Sequence, residues 1–231
     1  MSISDLCWKS TWNSVSHSIH LLGGLQMRRK EFTVSEEQEI EQFLFSQSFG
    51  FLGTTDQDGW SRVTPLNFAY GQGVFYFHGS LAGEKMKHLK ADNRVSFTVA
   101  EEYARIPSYY TDPVKACPAT AFFKSVMVKG RAEKITDLTE KAEALTLFMK
   151  KLQPEGGYAQ IDASDPRYAG ELKAVSVVRI IPEHMTAKFK FGQNMTEDKR
   201  NQIAQGLTER NQGKDTETVR LMTQFCPFHT E

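Results

Sequence analysis

The stretch from Phe49 to Gly79, FGFLGTTDQDGWSRVTPLNFAYGQGVFYFHG, most narrows the folds open to this chain. It is rich in aromatic residues, and two turn signals, Asp58-Gly59 and Gly71-Gln72-Gly73, cut it into three segments. Such glycine-containing pairs supply the positive φ that tight hairpins need, so the segments read as three strands in hairpin connection. A meander this apolar does not stay open, because bare strand edges invite aggregation; sheets of this kind curl and close on themselves.

The flanking sequence supplies the rest of the barrel and its covering helices. Ser35 reads as a helix cap with Gln38 three residues on, and Ile40, Phe43 and Leu44 recur at helical spacing to about Gln47. A short helix from about Gly83 to Lys90 precedes the strand RVSFTVA. A loop with Pro107, Pro113 and Pro118 leads to the strand TAFFKSVMVKGRAEKI. Asp137 caps a helix whose inner face carries Leu138, Ala142, Leu145, Phe148 and Met149. A last pair of strand segments, AVSVVRIIPEHMTAKFKF, is expected to break at Pro182. A polar helix follows, TEDKRNQIAQGLTERN. The fold class is therefore α+β: an antiparallel split β-barrel of six or seven strands with peripheral helices.

At 231 residues the chain holds one domain with tails. That domain spans residues 27–211, with a flexible tail over 212–231. Residues 1–26 read as a disordered tail or a mis-called start, with natural translation beginning at Met27 in MRRKEF. Twenty-eight basic and 28 acidic residues cancel, so no overall field draws the protein to nucleic acid or to a membrane surface. No helix-turn-helix signal is present either. No apolar run reaches a membrane span, and the three distant cysteines, Cys7, Cys117 and Cys226, suit a reducing cytoplasm and no zinc site.

Strand alternation puts Val74, Tyr76 and His78 on one face and Phe75 and Phe77 on the other. Both faces are aromatic, so the one that would meet water needs a cover, for which a second subunit is a candidate. Arg62 ends an apolar strand, and Lys85 sits where a glycine-containing loop enters a helix whose first N–H groups are unpaired. Ser80, Gly83, Lys85 and Arg62 together suit one phosphate, with Arg62 supplying a planar fork. Each also has an ordinary reading, as a snorkelling lysine and a surface arginine.

The order of these pieces, SRVTPLNFAYGQGVFYFHGSLAGEKMKHLKADNRVSFTV, resembles the FMN-binding split-barrel superfamily, which includes pyridoxamine 5′-phosphate oxidase and nitroimidazole-resistance-type flavoproteins. MRRKEF, the Cys117 loop and FFKSVMVKGRAEKITDLTEKAEAL are similar to the nitroimidazole-resistance branch. KFKFGQNMTEDKRNQIAQGL is similar to the tail of flavin-binding negative regulators of the same group. The resemblance implies a homodimer with FMN at the subunit interface. Arg62 and Lys85 would meet the flavin phosphate and Ser80 would add a hydroxyl. The strand with Val63, Thr64, Leu66 and Asn67 would lie along the isoalloxazine beside Phe77, and Lys124 and Ser125 would approach from the partner. His78 would stand at the ring or substrate cavity as the catalytic proton donor, with a core or interface histidine as the plain alternative.

Two positions depart from the oxidase pattern: Asn67 stands for its usual lysine, and Glu84 puts a negative charge beside the phosphate site. No Arg-x-His substrate motif is present near the C-terminus, so pyridoxamine oxidation is not implied. The expected function is flavin-dependent electron transfer to a small acceptor of nitroaromatic or quinone type. A non-catalytic flavin sensor and a haem-binding protein remain alternatives, as does deazaflavin F420 for FMN. His88 and His184 are expected on the surface. Cys117 reads as incidental, Lys188 and Lys190 as solvated, and Gln193 and Asn194 as the turn before a cap at Thr196.

Overall fold

The computed structural model of the chain describes residues 29–80 and 82–228, so the expectations for residues 1–26 lie outside the described residues. A short 3-10 turn, Lys30–Phe32, leads into β1 (Thr33–Val34) and α1 (Glu37–Ser46). α1 buries Ile40, Phe43 and Leu44, the predicted stripe, although Glu36 rather than Ser35 occupies the cap position. The meander forms β2 (Phe49–Thr55), β3 (Ser61–Asn67), β4 (Ala69–Gly71) and β5 (Val74–Gly79). α2 (Glu84–Ala91), β6 (Arg94–Ile106), β7 (Thr120–Lys134) and α3 (Leu138–Leu152) follow. The described chain ends with α4 (Ala169–Ala174), β8 (Ser176–Lys190), α5 (Glu197–Arg210) and α6 (Asp215–Gln224).

The strands form one antiparallel eight-stranded sheet in the order β3-β2-β6-β7-β8-β5-β4, with β1 added to β8. The two ends of that path, β3 and β4, are consecutive in the chain and meet at Phe68. The sheet therefore curls until one bent strand serves both ends. β3 and β5 approach each other but share no ladder, which leaves the barrel split along that line. Eight strands rather than six or seven arise because the third meander segment is preceded by the short β4 and because β1 pairs with β8 at Ala187 and Lys188.

Pro182 does not break the last strand. β8 runs on through a one-residue bulge: Lys129 pairs with His184 and Gly130 with Pro182, which leaves Glu183 of β8 without a partner in the register. Gly130 is required there, since a Cβ would lie 2.3 Å from the Ile181 carbonyl oxygen.

Side chains from both ends of the path fill the interior. Phe68, Phe75 and Phe97 meet at centroid distances of 5.3 to 6.1 Å in edge and tilted contacts. The opposite end is closed by α1 and α6, with Phe43 edge-on to Phe189 and Phe225 stacked on Phe191. α6 lies where the sequence predicts a mobile tail from residue 212. Leu221 and Met222 are buried, and the Arg200 guanidinium donates to the carbonyls of Phe191 and Met222, tying α5, α6 and β8 together.

The second aromatic face of β5 is covered by the chain's own α3 rather than by a second subunit. His78 packs edge-on to Phe148 at 4.8 Å, and Tyr76 packs with Leu145 beside buried Ala144 and Val177. Asp137 caps α3 as predicted, accepting from the Glu140 N–H at 2.8 Å. Arg179 of β8 holds the helix down, with its guanidinium 2.9 Å from Glu140 and 2.8 Å from Glu133.

Candidate functional site

The split between β3 and β5 is where this fold leaves backbone groups without a ladder. β3 pairs only with β2, and Phe77 to Gly79 of β5 pair only with β8. Two strand edges thus face each other across a gap, with N–H and C=O groups that need partners. The hinge of the split is fixed by Lys151 of α3. Its ammonium donates to the carbonyls of Leu44 at 3.0 Å and Phe68 at 3.2 Å and lies 3.9 Å over the Phe68 ring. Burial among these groups pulls the lysine down to about 8.

α2 lies beside this gap and brings the predicted cations to one end of the barrel. Arg62 pairs across the ladder with Thr54, whose buried hydroxyl meets His88 Nδ1 of α2 at 3.0 Å. His88 is therefore a buried anchor, not a surface residue. The same docking sets Glu84, first residue of α2, against Arg62, with Oε2 3.3 Å from Nε. Both side chains are more than half exposed, so this pair adds little stability.

Lys85, next in sequence, is half-buried. Its ammonium lies 4.8 Å from the Phe77 centroid, and a Cβ built on Gly79 would lie 3.7 Å from it. Burial alone holds its pKa below the usual lysine value, and among the described residues no carboxylate pairs with it. Gly83 supplies the cap with φ of 137°, a conformation that disfavours a side chain. Ser80 is exposed, its hydroxyl accepting from the Ala82 N–H at 3.3 Å. Arg62, Ser80 and Lys85 thus border one rim of the split.

His78 stands at the same end of β5, opposite Val177 of β8. Its ring lies against Phe148 while its outer edge meets solvent. Burial first, then the Lys85 charge, holds it below the usual imidazole value. At neutral pH it is an uncharged imidazole, better suited to a hydrogen bond than to giving up a proton.

The remaining predicted residues divide between the two faces of the sheet, as alternation requires. Leu66 and Phe77 point into the core and are buried there, and Thr64 shares the inner face with Arg62 and Leu66. Val63 and Asn67 point outward with Pro65, and the Asn67 amide donates to the Ser48 carbonyl. Lys124 is buried on the inner face between the Tyr103 and Phe189 rings, 5.4 and 4.7 Å from their centroids. Ser125, one residue on, lies on the outer face. Lys124 therefore cannot reach a ligand that touches Ser125 from outside, and Leu66 and Phe77 shape the rim without reaching it.

The outer face is apolar. Pro65, Phe51, Thr98 and Met127 form a row across β3, β2, β6 and β7, with Val63 and Phe49 alongside. Val63 is 62% exposed and Met127 58%. Sequence reading missed this patch because each strand alone contributes only one or two of these residues; the register assembles them.

Other expectations resolve more simply. His184 is half-buried with Nδ1 unpartnered, not a surface residue. Gln193 accepts from the Phe191 N–H and donates to the Phe189 carbonyl, each at 2.7 Å, which makes it a turn support. Lys188 and Lys190 are half-buried rather than solvated. Among the described residues no group of three or more His, Cys, Asp or Glu is placed to hold a metal, and no helix is long and apolar enough to cross a membrane.

A family model described as pyridoxamine 5′-phosphate oxidase matches residues 36–189. No curated protein matches the chain. Among solved structures, the chain is similar to the flavocytochrome Anf3 from Azotobacter vinelandii, with 26% identity and a TM-score of 0.60 over 71% of this chain and 72% of that one. It is similar to a proposed 5-nitroimidazole antibiotic resistance protein from Bacteroides thetaiotaomicron, with 25% identity and a TM-score of 0.54 over 68% and 85%. A FAD and haem binding protein from Mycobacterium smegmatis shares the fold at 18% identity, with a TM-score of 0.56 over 75% and 80%.

Proposed function

The chain belongs to the pyridoxamine 5′-phosphate oxidase family, and from that premise we propose that it binds a flavin in the split between β3 and β5. The observation that carries this reading is the half-buried, unneutralised Lys85 at the rim, beside Arg62 and below the unpaired edges of two strands. A buried ammonium without a counter-ion is costly, and an anionic ligand group relieves that cost. A flavin offers the matching parts: a phosphate for Lys85, Arg62 and Ser80, and a planar ring whose polar edge suits free backbone N–H and C=O groups. FMN, with one phosphate, fits three such groups without further cations. The flavocytochrome similarity agrees with a flavin ligand.

When bound, the flavin supplies the electron transfer, and the protein supplies placement and electrostatics. Lys85 and Arg62 hold the phosphate, and Glu84 partly offsets Arg62. Leu66 and Phe77 keep water out from below. His78, held below the usual imidazole value by burial and then by the Lys85 charge, orients a bound molecule by a hydrogen bond. The acceptor we propose is a small nitroaromatic or quinone-like molecule, in keeping with the nitroimidazole-resistance similarity. We further propose a homodimer through the outer apolar row, bringing the partner's outer face to the flavin, and a cytoplasmic protein.

An absorption spectrum of the purified protein tests the ligand, followed by mass analysis of what acid releases. The visible absorption of an oxidised flavin, with released FMN, supports the reading. A colourless protein that takes up no added FMN overturns it, and a Soret band without flavin moves the chain to haem binding.

A further inference from the structure

The match to the family model ends at residue 189, so α5 and α6 lie beyond the part of the chain that it covers. α6 folds back over the barrel end through the link from Asn211 to Lys214, in which Asn211 and Gly213 take positive φ values of 45° and 52°. Polar ties hold both ends of the helix: Lys214 donates to Glu101 of β6, and the Gln224 amide donates to Glu39 of α1 at 2.6 Å. Between them Leu221 and Met222 are buried, and just beyond them Phe225 packs against Phe189 and Phe191 at 5.9 and 5.7 Å.

Beneath this cap lies a charge with no direct counter-ion. Lys124 is only 8% exposed; its ammonium rests over the Tyr103 and Phe189 rings and, among the described residues, makes no hydrogen bond or ion pair. Lys141, buried to a similar degree, donates to the carbonyls of Leu172 and Val175, each at 2.8 Å. Both rings that touch the Lys124 ammonium are covered by α6 and its flanks, Tyr103 by Lys214 at 4.8 Å and Phe189 by Phe225, so closing α6 seals the charge in. Burial holds Lys124 below the usual lysine value, outweighing the charges of Glu39 on α1, Glu101 on β6, and Glu217 and Arg220 on α6. Ring faces and carboxylates beyond contact distance return only part of the hydration an ammonium loses. Closure of α6 is therefore opposed by a charge that an apolar side chain of similar length would not bring.

We propose that α6 is a releasable cap poised by Lys124: it swings away at the Asn211–Lys214 link while the barrel stays folded, because opening returns the buried ammonium to water. The open state presents a cup walled by Tyr103, Phe189 and Phe191 with one cation at its floor. The device does not rest on the flavin reading, since Lys124 lies on the inner face of β7 at the end that α1 and α6 close.

Amide hydrogen exchange of the full chain, read on peptides from α6 and from the β7–β8 ladder, tests it. In wild type the α6 amides should exchange about tenfold faster than the ladder amides, which report opening of the barrel itself. Lys124→Met should slow α6 exchange by about tenfold, because the cap then closes over an apolar side chain. Glu217→Gln removes the carboxylate that α6 brings toward the ammonium and should speed α6 exchange about two- to five-fold. In the Lys124→Met background the same change should have no effect. Glu217→Gln keeps the proposal falsifiable should Lys124→Met fail to fold, since exchange no faster than wild type in that variant alone overturns it. One common rate for α6 and the ladder, or α6 exchange unchanged or faster in folded Lys124→Met, would overturn it as well.

Discussion

Glu84 and Lys85 are neighbours in sequence with opposite effects on the proposed phosphate site. Glu84 neutralises Arg62 at 3.3 Å, whereas the Lys85 ammonium lies over the Phe77 ring and pairs with no carboxylate among the described residues. Removing the carboxylate frees Arg62 for the ligand, so Glu84→Gln should tighten FMN binding two- to five-fold, about the worth of an exposed ion pair. Fluorescence titration reads this directly, and weaker binding in the variant would contradict it. His78 gives a pH test. Its folded pKa lies below 6.5, so between that lowered value and 6.5 the unfolded chain binds a proton that the folded chain refuses. The stability is full above 6.5 and declines as pH falls through that window. Thermal melts should show a steeper acid decline for wild type than for His78→Gln. The exposed edge of the ring keeps the difference small, and identical slopes would remove the burial account.

The bend at Phe68 and the shift at Gly130 shape the barrel at the scale of its elements. Lys151 satisfies two carbonyls at that bend, so Lys151→Met should destabilise the fold by about 1–3 kcal/mol in denaturant unfolding. Because burial lowers Lys151 to about 8, unfolding takes up a proton between pH 8 and the ordinary lysine range. Wild type should therefore gain stability across that window relative to the variant, and a parallel pH dependence would contradict this. Gly130→Ala should cost about 1–3 kcal/mol, since the obstructing atom is a backbone oxygen that cannot swing away. The elements were largely legible in the sequence: period-two alternation marked β5, glycine pairs marked the hairpins, and Asp137 marked α3. Pro182 misled because a proline inside a strand reads as a break, whereas an extra residue beside it, Glu183, lets β8 bulge and continue. α6 was missed because its polar residues hide a stripe of Thr218, Leu221 and Met222, buried only once α5 and the barrel end are in place.

For the whole molecule, the candidate site follows from topology more than from any motif. Arg62 and Lys85 were legible as cations at a strand end and a helix start, but a contiguous list such as Val63, Thr64, Leu66 and Asn67 ignores that alternate residues face opposite ways. The outer row of Pro65, Phe51 and Met127 appears only through three ladders of register. If it pairs two copies, sedimentation should give twice the 26.2 kDa chain mass, and Met127→Glu should shift the protein toward monomer. A wild-type monomer would sink the pairing. The most direct test of the split as a flavin site is FMN titration of wild type and Lys85→Gln, followed by quenching of flavin fluorescence. The split-site account predicts saturable binding in wild type and a loss of about tenfold or more in the variant; equal affinity in the two proteins would contradict it.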